Sequence, residues 1–218
     1  IGWRFRKDGL RLNINTYYML YNEQLVLTGE LDDVGSPIRT NSGSSYRMGI
    51  EAEARIKLSE FFLMNTNVTL SSNKNKQTLS KFDGKIVDFG KTNISFSPDF
   101  IASNTIVFSP KDNLDISFLS KYVGKQYMGN IDAVNSILDS YFVNDLNLNY
   151  KINPKKTFKE IIISGLINNI LDKEYVSNGY YYTYDDTWSV PGQTKTMDGA
   201  GYYPQATRNF LIGITLKF

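Results

Sequence analysis

Apolar and polar residues alternate along most of this chain with period two, and a helical period is nearly absent. Segment 46–58 is the clearest case. One parity reads Tyr46, Met48, Ile50, Ala52, Ala54, Ile56 and Leu58; the other reads Arg47, Gly49, Glu51, Glu53, Arg55 and Lys57. Successive side chains of a strand point to opposite faces, so this segment is a strand with one apolar and one charged face. The same alternation runs through 10–21, 61–73, 113–123, 141–152 and 205–218. It is less regular in 158–170, where Ile161, Ile163, Gly165 and Ile167 fall on the apolar side, and in 100–108 the parity stays open. Residues 1–6 alternate as well, which makes nine strands.

The connections sort by length. Short ones lie near Lys7-Asp8-Gly9, Ser59-Glu60, Ser109-Pro110-Lys111-Asp112 and Asn153-Pro154-Lys155-Lys156; long ones run over 22–45, 74–99, 124–140 and 171–204. Tight turns at one end and long loops at the other are the layout of an outer-membrane barrel. A soluble sandwich or adhesin also alternates, with its charged face in water. It has no reason to sort its loops this way, and loops of such length are uncommon in compact soluble domains. The expected fold is therefore all-β: an antiparallel transmembrane β-barrel, with long loops outside and outer-membrane lipid against the apolar parity.

Charge then fixes the lumen. Arg11, Arg47, Glu51, Glu53, Arg55, Lys57, Asp115, Lys121, Asp145 and Lys217 fall on the polar parity. An Arg or Lys turned to lipid at mid-depth costs about 2–4 kcal/mol, so these positions are expected to face inward. They are candidates for contact with a plug or a permeating solute; the plainer reading is a solvated wall with charges paired across strands. Single-chain bacterial barrels have an even number of strands. An open edge in lipid leaves backbone groups unpaired at several kcal/mol each. Nine strands and a strand-like start thus predict further strands ahead of residue 1.

Composition removes alternatives. With 24 Lys+Arg against 22 Asp+Glu, the net charge of +2 gives no draw toward nucleic acid. Cysteine and histidine are absent, which excludes disulfides, thiolate chemistry and the commonest general base. No catalytic constellation and no glycine-rich phosphate loop appears, so an enzyme is not expected. No apolar run reaches the roughly 18 residues of a membrane helix, a criterion that barrel strands do not have to meet.

The last long loop carries Tyr180, Tyr181, Tyr182, Tyr184 and Trp188. Tyr and Trp give large, stiff contact area, so these five are candidates for ligand contact. The competing readings are packing between loops and the upper aromatic girdle. The pairs Asp32-Asp33 and Asp185-Asp186 bring oxygen atoms suited to a hard cation, but neither has further ligands in pattern. No metal or cofactor is expected.

Several stretches resemble one family. They are Lys121-Tyr122-Val123-Gly124-Lys125-Gln126-Tyr127, Ser140-Tyr141-Phe142-Val143-Asn144-Asp145-Leu146, Asn168-Asn169-Ile170-Leu171-Asp172-Lys173-Glu174-Tyr175, Tyr202-Tyr203-Pro204-Gln205-Ala206-Thr207-Arg208-Asn209-Phe210 and the terminal Leu216-Lys217-Phe218. In this order they look like the end of TonB-dependent receptors, in the style of Bacteroidetes-type bacteria. Phe218, closing a strand with Phe210, Ile212, Ile214 and Leu216 on one parity, resembles the signal read by outer-membrane assembly machinery. The resemblance implies the last nine strands of a 22-stranded barrel, with the plug domain and first strands outside 1–218. It implies import of a ferric siderophore, haem, cobalamin, glycan or peptide with TonB-derived energy. Implied partners are the remaining barrel and plug, TonB through the missing part, and a surface lipoprotein or larger outer-membrane complex. The other reading kept open is a non-transporting barrel that serves as a structural or assembly partner.

Overall fold

The computed structural model describes residues 1–32, 34–154 and 157–218. Nine strands follow one another in a single antiparallel sheet: β1 (Gly2–Lys7), β2 (Leu10–Tyr21), β3 (Ser45–Lys57), β4 (Phe62–Asn75), β5 (Phe100–Lys111), β6 (Leu114–Val123), β7 (Tyr141–Ile152), β8 (Glu160–Asn168) and β9 (Asn209–Lys217). Each pairs with the next in the chain, as hairpin-connected barrel strands must, and the short strand Thr92–Asn93 adds to the outer end of β4. The nine strands expected from alternation are all present, two with the expected bounds (10–21 and 141–152) and the rest with an end shifted by up to four residues.

The register keeps one parity on one face across the whole sheet. Trp3, Ile14, Ala52, Val68, Ala102, Tyr122 and Phe142 are successive cross-strand partners on the apolar face. Arg4, Asn13, Glu53, Asn67, Ser103, Lys121 and Val143 are successive partners on the other. The pairing also settles β5. Phe100, Ala102, Asn104, Ile106 and Phe108 take the apolar face; Ile101 and Val107, turned the other way, are what blurred its alternation.

Aromatic rings band both ends of the apolar face. Toward the long loops, Tyr18 stacks on Tyr46 at 6.2 Å between centroids and Phe100 lies 5.5 Å from Tyr122. Toward the short turns, Phe62 stacks on Phe108 at 4.7 Å and Phe158 meets Phe218 at 5.0 Å. Two such girdles bound the apolar band of outer-membrane barrels.

Turn chemistry explains the short end. Gly9 takes φ +74° in the two-residue link between β1 and β2. Ser59 Oγ accepts from the main-chain N–H of Phe61 and Phe62 at 3.2 and 3.1 Å, closing the next turn. In β5 the register shifts between Phe108 and Lys111. Pro110, which has no N–H to give a ladder, sits in that irregularity. The turn falls at Asp112-Asn113, at the far end of the expected connection Ser109–Asp112, because the strand runs on through the irregularity to Lys111. The turn after β7 contains Lys155 and Lys156, which lie outside the described residues.

Buried apolar side chains are few and gather at the base of the loops. Leu138, Ile94, Met128, Val123 and Val143 are the buried hydrophobics among the described residues. A wall one residue thick has two surfaces and no interior of its own, so this small core forms only where residues 124–140 fold back onto the wall's outer end.

Candidate functional site

The four long connections carry strands of their own. Residues 22–45 hold the hairpin Gln24–Leu31/Pro37–Ser42, residues 74–99 hold Leu79–Phe82/Lys85–Asp88, and residues 171–204 hold Val176–Asp186/Lys195–Pro204. Glu30 and Thr183 bridge the first hairpin to the last in parallel, making one four-stranded sheet. The second hairpin turns on Asp83-Gly84, both with positive φ (+51° and +73°). That is the geometry of a two-residue Asp-Gly turn, a hairpin signal that the sequence carries inside the long connection 74–99.

Side chains tie these loops together. Asp83 and Thr196 exchange hydrogen bonds: the Asp83 N–H donates to Thr196 Oγ1, and the Thr196 N–H to Asp83 Oδ1, each at 2.7 Å. Lys81 pairs with Asp185 at 2.8 Å, and the Thr196 hydroxyl donates to the other Asp185 oxygen at 2.9 Å. These contacts hold the Asp185 carboxyl below its ordinary pKa. Asp132 accepts from the main-chain and side-chain N–H groups of Asn93, both at 2.9 Å, which joins the loop 124–140 to the one before it. Asn135 donates to both oxygens of Asp198, at 3.3 and 3.2 Å, which joins it to the last.

Strand alternation divides the aromatic candidates of the last hairpin. Tyr181 and Thr183 point toward the other loops. Tyr181 donates to Asp198 Oδ2 at 3.3 Å, and burial followed by the nearby Asp198 charge pushes its phenol pKa well up. Tyr180, Tyr182 and Tyr184 point away, with centroids 6.1 and 6.5 Å apart and planes within 25°. Tyr184 continues onto Trp188 at 6.0 Å and 6°, and Tyr203 flanks Tyr180 at 6.0 Å. The cross-strand partners of Tyr182 and Tyr180 are Gly199 and Gly201. A Cβ at either glycine would stand 2.7 or 2.3 Å from the tyrosine ring, so the rings lie over bare backbone. The result is a row of aromatic faces, with Trp188 69% and Tyr180 51% exposed. In residues 171–204, expected as a loop, the i, i+2 spacing of these tyrosines is the sequence signal of the strand found there.

The carboxylate pairs are occupied by the fold. Asp186 Oδ1 caps the N–H groups of Trp188 and Ser189, at 3.1 and 3.0 Å, while Asp185 serves Lys81 and Thr196. Asp32 Oδ1 accepts from Val34 and Ser36 N–H at 3.0 and 2.7 Å; Asp33 lies outside the described residues.

The polar face of the wall holds Arg47, Glu51, Glu53, Arg55, Asp115, Lys121 and Asp145 together on one parity. Arg47 donates to Ser97 Oγ at 2.9 Å, and Asp115 accepts from Ser109 Oγ at 2.6 Å. Glu53 accepts from Asn13 Nδ2 at 3.4 Å. Among the described residues, the ion pair of this face is Lys217–Glu160; the others bond to neutral groups or none, so pairing across strands is not what places them.

Asp145 belongs to a joint at the loop end of the wall. It accepts from the N–H of Asn169, which has φ +50° and is buried. The Asn169 side chain donates to Lys173 O at 2.8 Å and Ala206 O at 3.4 Å, and accepts from Lys173 N–H at 2.9 Å. Asp172 accepts from Arg208 N–H at 2.8 Å and pairs with its guanidinium at 3.4 Å. The motif residues of the last hairpin thus fix where the chain leaves β8 and re-enters β9.

Residues 1–170 match the family described as TonB dependent receptor-like, beta-barrel. The chain belongs to this family. It is an outer-membrane barrel family of receptors rather than enzymes. No curated protein matches the sequence. Solved structures with the same fold include the ferric-catecholate import receptor Fiu from E. coli K12, at 16% identity and TM-score 0.66 over 100% of this chain and 26% of that one. The siderophore receptor PiuA from Acinetobacter baumannii matches at 16% and 0.63 over 98% and 27%, and the copper transporter OprC at 16% and 0.68 over 100% and 30%. The chain spans less than a third of these receptors' length, so the likeness speaks for the fold of this stretch.

Proposed function

We propose that this TonB-dependent receptor chain forms the last nine strands and the final outer loops of a 22-stranded, plug-filled barrel. The receptor imports a scarce nutrient, such as a ferric siderophore, haem or cobalamin, with energy delivered through TonB. The apolar face meets outer-membrane lipid and the loops face outside. Import fits the family and the named roles of Fiu, PiuA and OprC, two of which handle ferric or siderophore ligands and one copper. Arg6, Arg11 and Arg55 are consecutive in register on the polar face with no ion pair among the described residues. Like charges placed opposite one another are destabilising unless something balances them, and the plug is the occupant we assign.

The observation that carries the reading is the aromatic row Tyr180–Tyr182–Tyr184–Trp188 on the outer hairpin, exposed except for the half-buried Tyr182 and turned away from the loop packing. Aromatic anchors of this kind carry most of the energy in many binding surfaces. The test replaces these four residues with Ser in the full receptor, keeping Tyr181. Uptake of a ferric catecholate, haem and cobalamin is then followed separately. The transported ligand should show an apparent KM raised about tenfold or more, as loss of a hot spot would cause, with unchanged barrel yield. Unchanged affinity for every transported ligand would contradict ligand contact and leave the row a packing role.

A further inference from the structure

The apolar face of the wall ends, toward the long loops, in two lysines. Leu20, Tyr46, Lys74 and Asn93 are successive cross-strand partners there, on the same parity as Tyr18, Met48, Ile50 and Leu70. A lysine at such a rim lays its carbon stem along apolar surface and lifts its ammonium to the polar level. Lys91 reaches the same spot from another element, the link between Lys85–Asp88 and Thr92–Asn93. Its Nζ lies 5.2 Å from the centroid of the Tyr46 ring. Both ammonium groups act on the Tyr46 hydroxyl, so the two charges converge on one point of the rim.

No carboxylate pairs with either of them. Among the described residues the ion pairs are Lys81–Asp185, Arg208–Asp172 and Lys217–Glu160. Lys74 donates to Asn93 Oδ1, a neutral group. Asp132 accepts from the other end of that amide and from the Asn93 main-chain N–H, and bridges to neither lysine. Like charges gathered at one point repel unless an anion joins them. Below the lysines the surface turns aromatic and then aliphatic: Tyr18 stacks on Tyr46, and Leu20, Met48, Ile50 and Leu70 are exposed.

We propose that Lys74 and Lys91 form a seat for the phosphate of an outer-leaflet lipid, whose headgroup rests on Tyr46 and Tyr18 and whose acyl chains run along Leu20, Met48, Ile50 and Leu70. The proposal rests on the apolar face being the lipid-facing one and on the long loops facing outside. The level of the site decides the source of the phosphate. It stands at the aromatic girdle on the lipid side, where headgroups lie. A free phosphate would meet the two cations and leave the exposed aliphatic strip beneath them unused. Lysine binds phosphate as a point charge, without the fixed fork of arginine. That suits a headgroup whose orientation is already set by its acyl chains.

The test uses the full receptor, purified in detergent and freed of lipid, with lipid A as the probe and binding read by native mass spectrometry. We expect a lipid A adduct. Dephosphorylating the lipid, or introducing Lys74→Gln together with Lys91→Gln, should each weaken it about tenfold or more, as loss of cations beside an anionic lipid would cause. Heat-dependent mobility checks that the double variant is folded, and Lys74→Arg with Lys91→Arg should restore binding. Lys76→Gln with Lys85→Gln, two exposed lysines of the same long connection, is the control and should bind as the parent does. Inorganic phosphate at the same concentration should not displace the lipid. The proposal would be overturned by equal binding of lipid A with and without its phosphates, by full binding in the Lys74→Gln/Lys91→Gln variant, by an equal loss in the control, or by displacement with inorganic phosphate. The aromatic-row variant should keep its lipid A, which separates this seat from the function proposed above; loss of the lipid there as well would place the binding elsewhere and overturn it.

Discussion

The wall and the outer loops are both made of β-hairpins, yet they are held by different means. In the wall every strand is paired on both sides from β2 to β8, each side chain has its face assigned by parity, and charged groups bond mostly to neutral neighbours. In the loops the hairpins are short, and specific polar pairs do the joining: Asp83 with Thr196, Lys81 with Asp185, Asn93 with Asp132, Asn135 with Asp198. A structure secured by backbone ladders tolerates changes of side chain as long as polarity is kept. A structure secured by single side-chain pairs does not.

The largest effect should therefore follow from breaking polarity in the wall. Ala52→Arg, on the apolar face near mid-strand, is expected to destabilise the barrel by about 2–4 kcal/mol. Its neighbour Glu51→Arg, on the polar face, should change folded yield little. Folded fraction after extraction, read by heat-dependent mobility, checks the pair; equal losses at both sites would break the contrast. A smaller effect is expected in the loops. Thr196→Val removes the hydroxyl that accepts from Asp83 N–H and donates to Asp185, leaving partners unsatisfied at about 1–3 kcal/mol. Hydrogen exchange should quicken in Leu79–Phe82 and Lys85–Asp88 while the wall is unaffected. Unchanged exchange there would show that the loops do not depend on this pair.

The same difference explains what the sequence made legible. Nine strands, their polarity and the sorting of turns from loops follow from period two, because the membrane imposes one rule on every wall residue. β5 hid its parity because Ile101 and Val107 put apolar side chains on the polar face, and its strand runs through Pro110 to Lys111, into the expected connection. The loop hairpins were largely hidden. Asp83-Gly84 announced one of them, and the spacing of Tyr180, Tyr182 and Tyr184 another, but the partners of Thr196, Asp198 and Asp132 are set by folding across more than 35 residues of chain. Among the aromatic candidates, sequence grouped Tyr181 with its neighbours; alternation in the folded hairpin turns it to the opposite side, against Asp198.

The central claim is that one parity of the wall meets lipid and the other water. Spin labels placed singly at Ile50, Ile56, Ile116, Leu148 and Ile214, and at Glu51, Arg55, Ser117 and Asn149, test it in native membranes. The first set should be accessible to oxygen and shielded from a water-soluble nickel reagent, and the second set the reverse. Equal access of the nickel reagent to both sets would contradict the account.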